Sequence, residues 1–241
     1  SSRAEGGYIP DLIGSNYFNY GMSGVRDNVT LFFLEKACAR PGNAPILLNF
    51  DLEGLQYGVG DVRNYIVNAT DPGIKKLLGK EYQSHYALPV VKYYGAFVLY
   101  TKYYLNSKLN LTKYTNKGAR IEKNVLTEEN FERLVAQAKN ISATFHNEPL
   151  LERELFRIIR KYRQRSIVII SAPYHPAAFQ AMTNFSTAQA FLARLAQEPN
   201  VRVIDCSRMG LPDDHFFDMV HLNYTGAKAF SRALRDSLQQ R

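Results

Sequence analysis

The chain has 241 residues, 46% of them hydrophobic, which suffices for one large domain or two small ones and for a sizeable core. No apolar run approaches the roughly 18 residues that a membrane-spanning helix needs. The formal charge of +8 leaves room for an acidic partner, but the basic residues of ERELFRIIRKYRQR, 152–165, follow helical periodicity, so they read as a solvated helix face and no nucleic-acid partner is expected.

The start, SSRAEGGYIP, has neither Met nor a leader and reads as the beginning of a mature or truncated product. SNYFNYGMSG, 15–24, predicts a short aromatic strand ending in a glycine-rich loop. NVTLFFLEKACARPG places apolar residues at 31, 34, 37 and 38 before an Arg-Pro-Gly stop, a helical pattern. APILLNFDL, 44–52, is a continuous apolar run that suits a strand buried on both faces of a parallel sheet. From about 60 to 125 the chain is rich in Tyr, Lys and Asn and breaks the rhythm. We read it as an exposed insertion whose apolar part, 88–105, forms one or two short helices. Its tyrosines either line a sugar or lipid groove or cover the core edge.

The rhythm returns with TEENFERLVAQAKNISATF, a helix with Thr127 as N-cap and acids in its first turn. LLERELFRIIRKYRQR puts Leu151, Leu155, Ile158, Ile159 and Tyr162 on one helical face. SIVIISAP, 166–173, is a buried strand, STAQAFLARLAQEP a helix, VRVIDCS a strand and YTGAKAFSRALRDSLQ the last helix. Alternation of apolar strands with helices predicts a single α/β domain, three-layer α/β/α with a flavodoxin-like parallel sheet and the 60–125 insertion. Sites in such sheets lie at the C-terminal ends of the strands.

Cys38 and Cys206 form no C-x-x-C and read as two buried thiols, or as a disulfide in an oxidising compartment. Six N-x-S/T sequons, at Asn28, Asn68, Asn110, Asn140, Asn184 and Asn223, hint at secretion. His85, His146 and His175 show no carboxylate or Cys clustering, so no metal and no cofactor are expected.

The loop after VRVIDCS brings Asp213, Asp214, His215, Asp218 and His221 to one strand end. Asp213 and Asp214 are expected to shape the turn and His215 to be exposed. Asp218 and His221, three apart, can form a carboxylate–imidazole pair on a single turn, with a nucleophile supplied from elsewhere. Ser23 is a weak rival nucleophile, because GMSGV lacks the G-x-S-x-G elbow.

DMVHLNYTGAKAFS, with its His-Leu-Asn and following Gly, is similar to the last, D-x-x-H block of the SGNH (GDSL-like) hydrolases. SSRAEGGYIP resembles their first block in its G-S-S-R-A form, from just after the Gly, and NYGMSGVRDN resembles their second block. The resemblance implies Ser2 as nucleophile, with Asp218 and His221 completing the triad. It implies the Ser2 and Gly24 N–H groups as oxyanion donors, with Asn19 either ordering the second-block loop or simply capping it. Arg3 is expected in a structural ion pair. The third block, G-x-N-D, is absent; NFDLEG stands in its place, and Asp51 falls nearest the oxyanion asparagine, with Asn49 and Glu53 as rivals. The strand that the family has ahead of its serine would lie upstream of Ser1.

The function implied is a serine esterase or O-acyltransferase acting through an acyl-enzyme on an acylated carbohydrate, cell-surface polymer or small ester. An extracytoplasmic location is implied, compatible with an upstream membrane anchor. The alternative is a catalytically weak or inactive SGNH-like module that binds glycan or a partner protein.

Overall fold

The computed structural model describes residues 1–58, 60–62, 70–86, 123–139 and 143–240, together with positions 65, 68, 94, 97, 98, 101, 105, 117, 119 and 120. In chain order the elements are α1 (Ser2–Gly7), α2 (Pro10–Ile13), α3 (Asp27–Ala39), β1 (Ile46–Asn49), α4 (Pro72–Leu78), α5 (Lys80–Tyr86), α6 (Glu128–Lys139), β2 (Ala143–Thr144), α7 (Pro149–Lys161), β3 (Ile167–Ser171), α8 (Pro176–Ala181), β4 (Met182–Thr183), α9 (Phe185–Leu195), β5 (Val201–Asp205) and α10 (Tyr224–Gln239). A turn of 3₁₀ helix covers Asp213–His215.

The main sheet has the order β1-β3-β5, all parallel, with Ile46 opposite Ile167 and Ile167 opposite Val201. β3 is central, and all five of its residues are buried, as its unbroken apolar run requires. Its side chains alternate between two cores. Ile167 and Ile169 pack with α3, α7 and α9, whereas Val168 and Ile170 pack with Ile13 of α2, Leu126 and Ala227, Phe230 and Leu234 of α10. This is a three-layer α/β/α arrangement. β2 and β4 form a separate two-residue parallel pair.

Three sequence expectations need correction. β1 is half-buried rather than buried on both faces, since among the described residues it has a strand neighbour, β3, on one side alone. Residues 15–24 form a loop, not a strand: the Asn19 side chain takes the Gly21 N–H within the segment and turns its nitrogen onto carbonyls of the α1 segment. Part of the 60–125 segment is regular: α4 and α5 pack on α3, and Tyr65, Tyr82 and Tyr86 join Val29, Ile74 and Leu78 in a small buried cluster. Those tyrosines cover a core edge and line no groove. Most of 88–105 lies outside the described residues.

Other expectations hold locally. The Thr127 hydroxyl accepts the Asn130 N–H at the start of α6, and the Tyr162 side chain packs against the α7 core. Cys38 is a buried free thiol in one core, whereas Cys206, also free, is half-buried against the other rather than buried as expected. Three sequon asparagines are structural: Asn28 and Asn223 are buried, and Asn184 pairs through both side-chain atoms with the Phe145 backbone. The Asn223 side-chain nitrogen is taken up by the Asp214 and Phe216 carbonyls.

Candidate active site

The C-terminal ends of β1, β3 and β5 meet the N-terminus of α1. Ser1 caps α1, its hydroxyl accepting the Ala4 N–H at 3.4 Å, and Ser2 is the first helical residue. The Ser2 N–H therefore has no acceptor within the helix. The Ser2 Oγ lies 2.7 Å from His221 Nε2.

His221 comes from the loop after β5. That loop folds back on itself: Phe216 bridges Leu222, and the Phe217 N–H donates to the His221 carbonyl at 2.9 Å. At its tip Asp218 closes an Asx-type turn, Oδ1 accepting the Val220 and His221 N–H groups at 2.9 and 2.7 Å. The same carboxylate faces His221 Nδ1 at 2.9 Å from Oδ1 and 2.8 Å from Oδ2. Burial opposes ionisation of Asp218, but the His221 imidazole and the two amides outweigh it and hold the carboxyl below its ordinary range. Asp218 is thus an anion that fixes a proton on Nδ1 and leaves Nε2 to accept one from Ser2. The turn predicted from the three-residue spacing and the dyad are one object.

The loop beyond α2 is fastened to α1. Asn19 Nδ2 donates to the Ala4 and Tyr8 carbonyls at 2.7 and 2.9 Å, and its Oδ1 accepts the Gly21 N–H at 2.7 Å. Glu5 accepts both the N–H and the hydroxyl of Ser23. Ser23 is therefore engaged as a donor, and Gly24 follows it in the left-handed region at φ +69°, with its carbonyl accepting the Asp61 N–H.

Asp51 supplies no oxyanion donor. Its Oδ1 accepts Arg3 Nη1 at 2.9 Å and Asn49 Nδ2 at 2.7 Å. Burial raises its pKa, but the Arg3 guanidinium leads the groups that more than offset this, so the carboxyl lies below its ordinary range. Asn49 is the amide that faces the serine helix. Its Oδ1 accepts the Tyr8 hydroxyl at 2.7 Å, which turns Nδ2 toward Ser1 Oγ, 3.3 Å away. Glu53 points elsewhere and accepts the Tyr174 hydroxyl at 2.9 Å.

A family model for an uncharacterised family matches residues 100–241, more than half of the chain. The chain belongs to that family. The matched stretch takes in Asp218 and His221 and leaves Ser2 outside. No curated protein and no solved structure matches the chain.

His175 pairs with a single carboxylate, its Nε2 lying 3.0 Å from Asp213 Oδ1, while Nδ1 accepts the Ala177 N–H as the cap of α8. The expectation that His215 is exposed changes. His215 is half-buried and paired with Asp214 at 2.8 Å. Sequence reading assigns nothing to Glu5. A Ser cap followed by a first-turn acid was the available signal for α1.

Proposed function

We propose that the protein is a serine esterase or O-acyltransferase of SGNH type, acting through an acyl-enzyme on Ser2. The observation that carries this reading is the continuous chain from Ser2 Oγ through His221 to Asp218, at 2.7 and 2.8 Å. A serine hydroxyl is a weak nucleophile until an imidazole can take its proton. Ser2 Oγ attacks the ester carbonyl carbon while Nε2 accepts the hydroxyl proton, with Asp218 balancing the imidazolium. The tetrahedral oxyanion is received by the N–H groups of Ser2 and Gly24. Nε2–H then protonates the departing alkoxide, leaving acyl-Ser2. Water or a sugar hydroxyl, deprotonated by Nε2, attacks that ester and restores Ser2.

The substrate class follows from the surroundings. Phe18 and Tyr20, 54% and 74% exposed, contact each other at a tilt in the loop that Asn19 holds against α1. Together with the net charge of +8 they suit an acylated carbohydrate or anionic cell-surface polymer, and with that an extracytoplasmic location. Among the described residues no helix is long and apolar enough to cross a membrane. The alternative of a non-catalytic binding module has no use for an aligned Ser–His–Asp chain.

A fluorophosphonate probe tests the reading, since it traps a serine that an imidazole activates. We expect covalent labelling of the wild type at Ser2, and none in Ser2→Ala or His221→Ala. Folded wild type that stays unlabelled, or Ser2→Ala that labels as fast, overturns it.

A further inference from the structure

We propose that Arg3 is a positioning residue that sets the Ser2 helix against the His221 loop and cancels the charge of Asp51 beside them; this rests on the serine-hydrolase reading. Arg3 is 6% exposed, and each face of its guanidinium fork has a separate task. Nε donates to the Val220 carbonyl at 2.9 Å, Nη1 to Asp51 Oδ1 at 2.9 Å, and Nη2 to the Ala172 and Pro173 carbonyls at 2.7 and 2.9 Å. The guanidinium plane lies 3.5 Å from the centroid of the Tyr174 ring. Arg3 is covalently next to Ser2, and Val220 is next to His221. One rigid side chain therefore spans the short path between the two reacting groups and ties it to the ends of β1 and β3.

The tip of the histidine loop is held the same way from other directions. The His175 N–H takes the Met219 carbonyl at 3.1 Å, Arg3 takes Val220, and the Phe217 N–H takes His221. Three successive carbonyls are tied by three different parts of the chain, and among the described residues Arg3 alone links that tip to the serine helix by a charged donor. An ion pair needed only for stability would not require Nε on the Val220 carbonyl. Nor could lysine replace it, because a tetrahedral ammonium cannot address four acceptors spread around a plane.

The second task is electrostatic. Asp51 shares Asn49 Nδ2 with Ser1, so its carboxylate sits beside the place where the oxyanion forms. An uncompensated anion there would raise the energy of the tetrahedral intermediate. Paired with Arg3, it is neutral as seen from Ser2.

The deciding variant is Arg3→Met/Asp51→Asn, which removes both charges of the pair together and leaves neither uncompensated. It is read by circular dichroism, thermal melting and the concentration dependence of fluorophosphonate labelling. We expect a folded protein that melts below the wild-type temperature, because the Val220, Ala172 and Pro173 carbonyls lose their donor. Its maximal labelling rate is about 100-fold lower, with half-saturation within about threefold, because orientation and not probe binding has been lost. Arg3→Lys keeps the charge without the fork and is expected to recover only part of that rate. A folded double variant that labels at the wild-type rate overturns the inference while leaving the hydrolase reading intact. A double variant that fails to fold also overturns it, since Arg3 is then a structural requirement. A folded wild type that never labels overturns both.

Discussion

Asp218 takes on two tasks with one carboxylate, and this makes it the most informative single residue. Its Oδ1 closes the turn through two amide groups, and both oxygens face His221 Nδ1. Asp218→Asn keeps an acceptor for the amides but can present an NH2 to Nδ1 and favour the wrong tautomer. We expect labelling of Ser2 to slow by about 10³-fold or more in this variant, with a small change in melting temperature. Unchanged labelling would show that the carboxylate orients nothing. The sign of its pH effect follows from its lowered pKa. The folded state binds fewer protons here than the unfolded chain does, so the stabilisation is complete above the ordinary aspartate range and is lost as pH falls through the folded value. Urea midpoints should fall more steeply on acidification in the wild type than in Asp218→Asn.

At the scale of elements, two glycines set how closely the pieces of the site approach. Gly226 lies in the first turn of α10, and a Cβ there would land on the His215 carbonyl. That contact explains the glycine after His-Leu-Asn: α10 must start against the backbone of the preceding 3₁₀ turn, with Asn223 Oδ1 accepting the Thr225 and Gly226 N–H groups. Gly226→Ala is expected to cost about 1–3 kcal/mol in chemical denaturation, as overpacking does. Gly21 makes the matching contact on α1, where an added Cβ would meet the Glu5 amide nitrogen. Gly21→Ala should push the 19–24 loop off α1 and carry Gly24 with it. The expected result is labelling of Ser2 slowed by about tenfold or more, with the Ser2–His221 contact preserved. Wild-type labelling in Gly21→Ala would remove Gly24 from the oxyanion set.

For the whole molecule, pH-dependent stability should carry a second, opposite signature from Asp27 at the start of α3. Burial pushes its carboxyl up to about 6 from 3.8, with the Gln56 N–H opposing and the Asp51 carboxylate assisting. Here the folded state binds more protons than the unfolded chain, so stability is fully present below the unfolded value and declines as pH rises to about 6. Asp27→Asn can still accept the Gln56 N–H that Asp27 Oδ2 receives at 2.8 Å. Relative to wild type it should gain on the order of 1 kcal/mol between pH 4 and pH 7 in urea titrations. A difference that stays flat with pH would refute the burial argument. Truncation in the central strand, Ile169→Ala, should instead cost about 2–5 kcal/mol at every pH, since it empties a closed part of the core.

The sequence by itself determined the layered architecture and the dyad. The apolar run SIVIIS is satisfied by burial on both faces, and a carboxylate three residues before an imidazole meets it through local turn geometry alone. Tertiary structure decided everything that depends on residues far apart in the chain. Ser2 and His221 are 219 positions apart, and nothing in either segment fixes their separation of 2.7 Å. Asp51 stood nearest the oxyanion by position, yet Arg3 claimed its charge and Asn49 took the facing role. The 15–24 aromatics read as a strand until Asn19 found its acceptors on α1. Periodicity records which faces are buried; which donor meets which acceptor is settled only when the folded chain brings them together.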